Sequence, residues 1–286
     1  MDKRKIAILG GDSRFSVLAD RLGRSGYECA VWKTQGNDVG AAVKSADWQG
    51  AVNRAEAVIL PLPCTVDGER LNVFSCEPGP LLYEIIGEME ESSLLLAGKT
   101  TESLQAYAEQ RNIALEDYYR NEIFEIKNVL PTVEGAIFLG VEHLTRTVCG
   151  AHFAVIGYGR IGKLLADRLI KLGACVTVYA RREESRALAE LYGCRALPLQ
   201  DIACDEYDLL FNTVPVDALS SVVKCGAPSV CIDIAPQSKL SDSPFLQKCN
   251  VRVINASALP GRFFPTTAGE ILAECILEFL QNKGRP

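Results

Sequence analysis

Short apolar runs alternate with amphipathic stretches along the chain. Lys5–Leu9 is an apolar run of strand length, the pattern of a strand buried on both faces. Phe15, Leu18, Ala19 and Leu22 then recur at the 3.6-residue period of a helix. Glu28–Trp32, Ala57–Leu60 and Leu94–Ala97 read as further strands, the second of them closed by Pro61-Leu62-Pro63. Leu81–Glu90 and Thr101–Arg111 read as helices, the latter ending near Asn112. In the second half Phe153–Ile156, Cys175–Tyr179, Leu209–Thr213, Val230–Ile234 and Val251–Ile254 have strand character. Ile161–Leu172 is a helix with Ile161, Leu164, Leu165, Leu169 and Leu172 on its buried side. Strands that alternate with helices predict parallel βαβ units. The expected fold class is therefore α/β, with two doubly wound parallel-sheet domains, the second of Rossmann type.

Pro131–Leu144 joins the halves as an apolar segment with Val133, Ile137, Val141 and Leu144 at helical spacing. It is expected to form a hinge helix that lines a cleft. Thr267 with Glu270 reads as a capping box that opens a last helix to about Leu280. The expected organisation is an N-terminal domain over 1–130, a hinge over 131–150 and a Rossmann domain over 151–286, whose last helix returns toward the cleft.

The length of 286 residues fits two domains at roughly 150 residues each. Hydrophobic residues make up 48% and charged residues 23%, enough apolar matter for two cores. The charge of −6 (30 basic, 36 acidic) offers no basic field for nucleic acid or anionic lipid. No apolar run approaches the ~18 residues that span a bilayer, and Ile6–Leu9 is too short for a signal core. A cytoplasmic chain with no membrane or nucleic-acid partner is expected. The 11 cysteines lie at least six residues apart and the two histidines are His143 and His152, so no metal site is expected. His143 reads either as a helix-end histidine or as a general base.

Gly157-Tyr158-Gly159-Arg160-Ile161-Gly162 is a G-x-G-x-x-G pattern. It closes an apolar strand, opens an amphipathic helix and precedes a second strand that ends about 18 residues later, the context of a dinucleotide site. Gly157 permits the turn, Gly159 lets backbone N–H groups reach a pyrophosphate at the helix N-terminus, and Gly162 lets the helix pack on the sheet. An NAD site places Asp or Glu at the end of the second strand. This chain has Arg181-Arg182 there and no acid before Glu183. Two guanidiniums suit a 2′-phosphate, so NADP is expected in preference to NAD; the alternative is that they only solvate the next helix. Thr213 and Ala235 end later strands at the carboxyl edge and read either as nicotinamide-side contacts or as turn residues.

A small first domain, a hinge helix and a Rossmann domain also describe the D-2-hydroxy acid dehydrogenases, which need a late catalytic histidine. The chain has no histidine after His152, which excludes that mechanism. Three further segments carry a different resemblance: Gly10-Gly11-Asp12-Ser13-Arg14, Pro131-Thr132-Val133-Glu134-Gly135, and Leu259-Pro260-Gly261-Arg262-Phe263-Phe264-Pro265-Thr266-Thr267-Ala268-Gly269. Taken in order with the G-x-G-x-x-G, they resemble the A-chain family of the dipicolinate synthases over essentially the whole sequence. One departure is that family members often carry Lys where this chain has Thr266, with Arg262 supplying a cation four residues earlier. Which cation binds substrate therefore stays open.

The resemblance implies an NADP-linked oxidation that forms dipicolinate, the pyridine-2,6-dicarboxylate of endospores, from dihydrodipicolinate or its hydrated precursor. It also implies a different polypeptide as partner, the dipicolinate synthase B chain; a homo-oligomer is expected besides. The alternative function is an NAD(P)-binding scaffold or regulatory subunit whose chemistry resides in the partner. A dicarboxylate substrate needs cations or donors at two positions, and Arg14 and Arg262 are the candidates on either side of the cleft. Arg14 reads alternatively as a partner of Asp12, and Arg262 as a solvated loop residue. Glu134 is the candidate base, its pKa raised by burial, or else a helix-terminus acid. Thr132 and Thr266 are candidate hydrogen-bond donors to a carboxylate.

Overall fold

A computed structural model of the chain describes residues 4–36, 39–202, 207–215, 230–235, 240 and 251–282. It divides into two units, Met1–Asn128 with Pro260–Pro286, and Val129–Leu259. The first holds strands β1 (Lys5–Leu9), β2 (Glu28–Trp32), β3 (Val43–Lys44), β4 (Ala57–Ile59), β5 (Leu94–Ala97) and β6 (Ala114–Asp117). They form a parallel sheet in the order β3-β2-β1-β4-β5-β6. Helices α1 (Ser13–Arg24), α2 (Trp48–Val52), α3 (Leu82–Gly87) and α4 (Glu102–Gln110) connect the strands. The strand order reverses between β1 and β4, and open α/β sheets hold ligands at the carboxyl edge of such a point.

Helix α5 (Glu122–Val141) leads into β7 (His152–Ile156), α6 (Arg160–Lys171), β8 (Cys175–Ala180), α7 (Glu183–Leu191) and β9 (Arg195–Pro198). Strands β10 (Leu209–Asn212), β11 (Val230–Asp233) and β12 (Arg252–Asn255) complete a second parallel sheet, ordered β12-β11-β10-β7-β8-β9. Two helices, α8 (Leu259–Phe263) and α9 (Pro265–Asn282), follow. The fold is the expected pair of doubly wound parallel sheets.

The apolar residues that define each period in the sequence line the cores. Phe15, Leu18 and Leu22 of α1 pack with Leu272, Ile276 and Leu280 of α9 over Ile6, Ile8 and Ile59. The other face of the first sheet buries Ala7, Leu9, Val58 and Leu95 under Leu82, Ile85 and Leu104. Helices α1 and α9 approach backbone to backbone at Gly269. A Cβ there would stand 2.7 Å from the Arg14 carbonyl oxygen and 2.6 Å from Val17 Cβ. In the second unit Gly140 of α5 has the same role, since a Cβ would meet Phe211 Cζ at 2.9 Å.

Three expectations about boundaries change. The hinge helix starts nine residues before Pro131, because the Asn121 side chain caps it by accepting from the Phe124 N–H. Pro131 lies inside α5. The last helix starts at Pro265 rather than after Thr267, with proline in the first-turn position that needs no N–H. The C-terminal segment, expected with the Rossmann domain, packs on α1 and is grouped with the first unit. Short elements with weak periodicity (β3, α2, β6, β9 and α8) were not anticipated.

Candidate cofactor site and the motifs of the first unit

Strand β7 ends in buried Ile156, and Gly157 turns the chain with φ +98°. That conformation favours glycine, and a Cβ would also stand 2.6 Å from Val214 Cγ1. Gly159 caps α6 at φ −83° and is exposed, and nothing lies within 4 Å of where its Cβ would be. The space above it is the cradle that a side chain would fill. Gly162 is buried one turn into α6, where a Cβ would overlap the Gly157 carbonyl oxygen. Arg160 and Ile161 are the first two residues of α6, so their backbone N–H groups lie at the helix N-terminus, where negative charge is favoured. Gly157 thus makes the turn, Gly162 allows the close packing of the helix, and the position of a Cβ on Gly159 is open.

Beside this turn is a cavity of about 640 Å³, lined by Gly157, Tyr158, Gly159, Tyr179, Ala180, Arg181, Arg182, Ser185, Leu199, Val214 and Pro215. It has the size and the largely apolar lining of a cofactor pocket. Arg181 and Arg182 are exposed on the turn between β8 and α7, and neither guanidinium has a partner among the described residues. No carboxylate or imidazole lines the cavity among the described residues. Tyr158 is buried, which pushes its phenol up to about 12 and keeps it neutral.

At the carboxyl ends of β10 and β11 lie Thr213 and Ala235, expected either as nicotinamide-side contacts or as turn residues. The Thr213 hydroxyl donates to the Ile156 carbonyl at 2.8 Å, tying β10 to β7 beside Gly157. Neither Thr213 nor Ala235 lines the cavity; Val214 and Pro215 do. Buried Asn212 donates to Asp233 Oδ1 at 2.9 Å and to the Val214 carbonyl at 2.9 Å. This pair was missed, although a polar residue at the end of an apolar strand (Leu-Phe-Asn, Cys-Ile-Asp) is a readable signal.

Two of the motifs in the first unit meet. Asp12 caps α1 through the Arg14 N–H at 3.1 Å. Its carboxylate also accepts from Arg14 Nε at 2.8 Å and from Nη2 at 2.8 Å. Arg14 is 5% exposed, and its Nη1 has no hydrogen-bond partner among the described residues. Gly261 lies against this pair: a Cβ would overlap the Asp12 carboxylate and stand 3.0 Å from Arg14 Nε. The Gly-Gly-Asp-Ser-Arg and Leu-Pro-Gly-Arg segments therefore form one corner. Arg14 and Arg262 were expected on opposite sides of a hinge, yet both belong to the first unit. Arg262 is exposed, with its guanidinium 4.7 Å from the Phe263 ring centroid, and Thr266 is exposed at the start of α9.

Glu134 is exposed on α5, where burial had been expected. Thr132 is half-buried on the same helix. Two residues at 3.6 per turn are about 200° apart, so Thr132 and Glu134 lie on different sides of α5. His143 follows the end of α5, with its N–H donating to the Gly140 carbonyl at 3.0 Å.

The fold and the cavity define a Rossmann-type domain of the NAD(P)-binding class. Residues 152–237 match the family described as NADP oxidoreductase, coenzyme F420-dependent. Residues 5–119 match the N-terminal domain of the dipicolinate synthase A chain. The sequence is 28% identical over 285 residues to the dipicolinate synthase A chain of Bacillus subtilis (strain 168), covering 96% of this protein and 95% of that one. The crystal structure of the Bacillus subtilis A chain superposes with a TM-score of 0.78 at 26% identity, over 99% of this protein and 97% of that one. The A chain from Bacillus halodurans gives 0.80 at 24% identity, over 97% and 98%, a likeness of fold. The resemblance to the dipicolinate synthase A chains read from the motifs holds along the whole sequence.

Proposed function

We propose that this chain is an NADP-linked oxidoreductase subunit that forms pyridine-2,6-dicarboxylate from a dihydro or hydrated ring precursor, acting with a second, different polypeptide. The observation that carries the reading is the full-length likeness to the dipicolinate synthase A chain, joined to a cofactor cavity whose polar wall is cationic. Two arginines and no carboxylate suit a 2′-phosphate better than a free 2′-hydroxyl. Bound NADP would supply the hydride acceptor.

The chain's own residues would bind the substrate and manage its proton. Arg14 has one guanidinium nitrogen left over, held in place by Asp12, and would meet one carboxylate. Arg262 and Thr266 would meet the other. Glu134 would take the ring proton. On this reading Thr213 and Ala235 support the strand ends at the nicotinamide side, and Thr132 is a candidate hydrogen-bond donor to a substrate carboxylate.

The relative is one lettered component of its synthase, which implies a partner polypeptide here too. A scaffold whose chemistry resides in that partner is the second reading, favoured by the lack of an acid or base in the cavity wall among the described residues. Steady-state kinetics of the complex decide between them. Arg262→Ala should raise KM by about tenfold to a hundredfold, for a lost charge-assisted bond of roughly 1.5–3 kcal/mol. If neither Arg262→Ala nor Glu134→Gln in this chain changes any kinetic constant of the complex, the chemistry lies elsewhere.

A further inference from the structure

Building on the NADP reading of the cavity, we propose that Ser185 is a third ligand for a phosphate on the adenosine ribose, and that Arg186 is the positioning residue for the turn that carries Arg181 and Arg182.

Strand β8 ends at Ala180, and α7 begins at Glu183. The cavity takes Arg181, Arg182 and Ser185 from this corner, but not Glu183 or Glu184. Both glutamates are exposed. The acids that an NAD-type site would turn toward the ribose are therefore outside the wall, and a hydroxyl is in it. Ser185 is half-buried in the first turn of α7. A serine in a helix usually returns its hydroxyl to a nearby backbone group; here the hydroxyl has no partner among the described residues. An O–H beside two guanidiniums completes a donor set for a dianion, and O–H···O⁻ bonds of that kind are short and strong.

Arg186 Nη1 donates to the carbonyl oxygens of Ala180 at 3.0 Å and Arg181 at 2.7 Å. Two consecutive carbonyls at the end of β8 are thereby fixed by a single cation. The contact holds the turn that presents Arg181 and Arg182. It also neutralises carbonyl lone pairs that would otherwise repel an anion nearby.

The test is calorimetric titration of the full chain with 2′,5′-ADP and with 5′-AMP, two probes that differ in the 2′-phosphate alone. The unaltered chain should bind 2′,5′-ADP at least about tenfold more tightly. Ser185→Ala should weaken 2′,5′-ADP by about tenfold and leave 5′-AMP unchanged, the second probe serving as the control for folding. Ser185→Asp should reverse the preference. Arg186→Ala should cut the ratio of the two affinities, and Arg186→Lys should restore part of it. Equal binding of both probes by the unaltered chain would overturn the NADP reading itself. A normal preference that survives Ser185→Ala, or an equal loss for both probes, would leave that reading intact and overturn the role of Ser185. A ratio unchanged in Arg186→Ala would overturn the positioning role.

Discussion

Gly159 and Gly162, about one helical turn apart, should respond in opposite ways to an added side chain. At Gly159 the backbone is in a conformation open to any residue (φ −83°, ψ −161°), and no atom lies within 4 Å of a Cβ. Gly159→Val should fold with a stability change within about 1 kcal/mol, since the poorer cap is offset by the freedom the unfolded chain loses. Its isopropyl group would occupy the position of a pyrophosphate. The loss of two charge-assisted N–H bonds at roughly 1.5–3 kcal/mol each weakens NADP and NAD alike by about a hundredfold to ten-thousandfold. Gly162→Ala places its methyl on the Gly157 carbonyl oxygen, and overpacking of that kind costs about 1–3 kcal/mol. Thermal unfolding followed by circular dichroism, with fluorescence titration of the cofactor, reads both quantities on each variant. Normal cofactor affinity in Gly159→Val would move the site elsewhere. A Gly159→Val chain that unfolds, beside a Gly162→Ala chain that does not, would refute the geometry.

Gly269→Ala should lower the stability of the first unit by about 1–3 kcal/mol in urea unfolding, because α1 offers no room for a Cβ. Peptide-resolved alkylation at neutral pH should label exposed Cys76, Cys149 and Cys175. It should spare Cys29 and Cys275, raised to about 12 by burial, and Cys64 and Cys194, raised to about 11. Those four thiols are shielded and stay protonated in the folded chain, so they should remain unlabelled even at about pH 9; labelling of all seven in the folded chain would contradict the burial. In the complex, Glu134→Gln should lower kcat by about a hundredfold or more and leave NADP affinity intact; a normal kcat would reduce Glu134 to an acid on the helix surface.

The strands were readable because a strand buried on both faces in a parallel sheet is a continuous apolar run, and Lys5–Leu9 and Leu94–Ala97 carry that signal to their last residues. The cofactor turn was readable because each glycine answers a steric demand that no other residue meets. Helix ends were less legible. Thr267 with Glu270 has the letters of a capping box, but Pro265 starts the helix first. Asn121, whose side chain sets the start of α5, looks like any loop asparagine. The corner where Gly261 lies on Asp12 and Arg14 joins residues almost 250 positions apart; periodicity carries no information at that range, and only the resemblance hinted that both segments matter. Ser185 was missed for another reason. Its significance comes from which side chains of α7 face the cavity, and this depends on the rotation of the helix over the sheet.

The most direct measurement is the product balance of the reconstituted reaction. Purified chain, a partner polypeptide of the dipicolinate synthase type, NADP⁺ and the cyclic dihydro precursor should yield pyridine-2,6-dicarboxylate and NADPH in equal amounts, and Gly159→Val should abolish both. Dicarboxylate formed at an undiminished rate without NADP⁺, or with the Gly159→Val chain, would contradict the account.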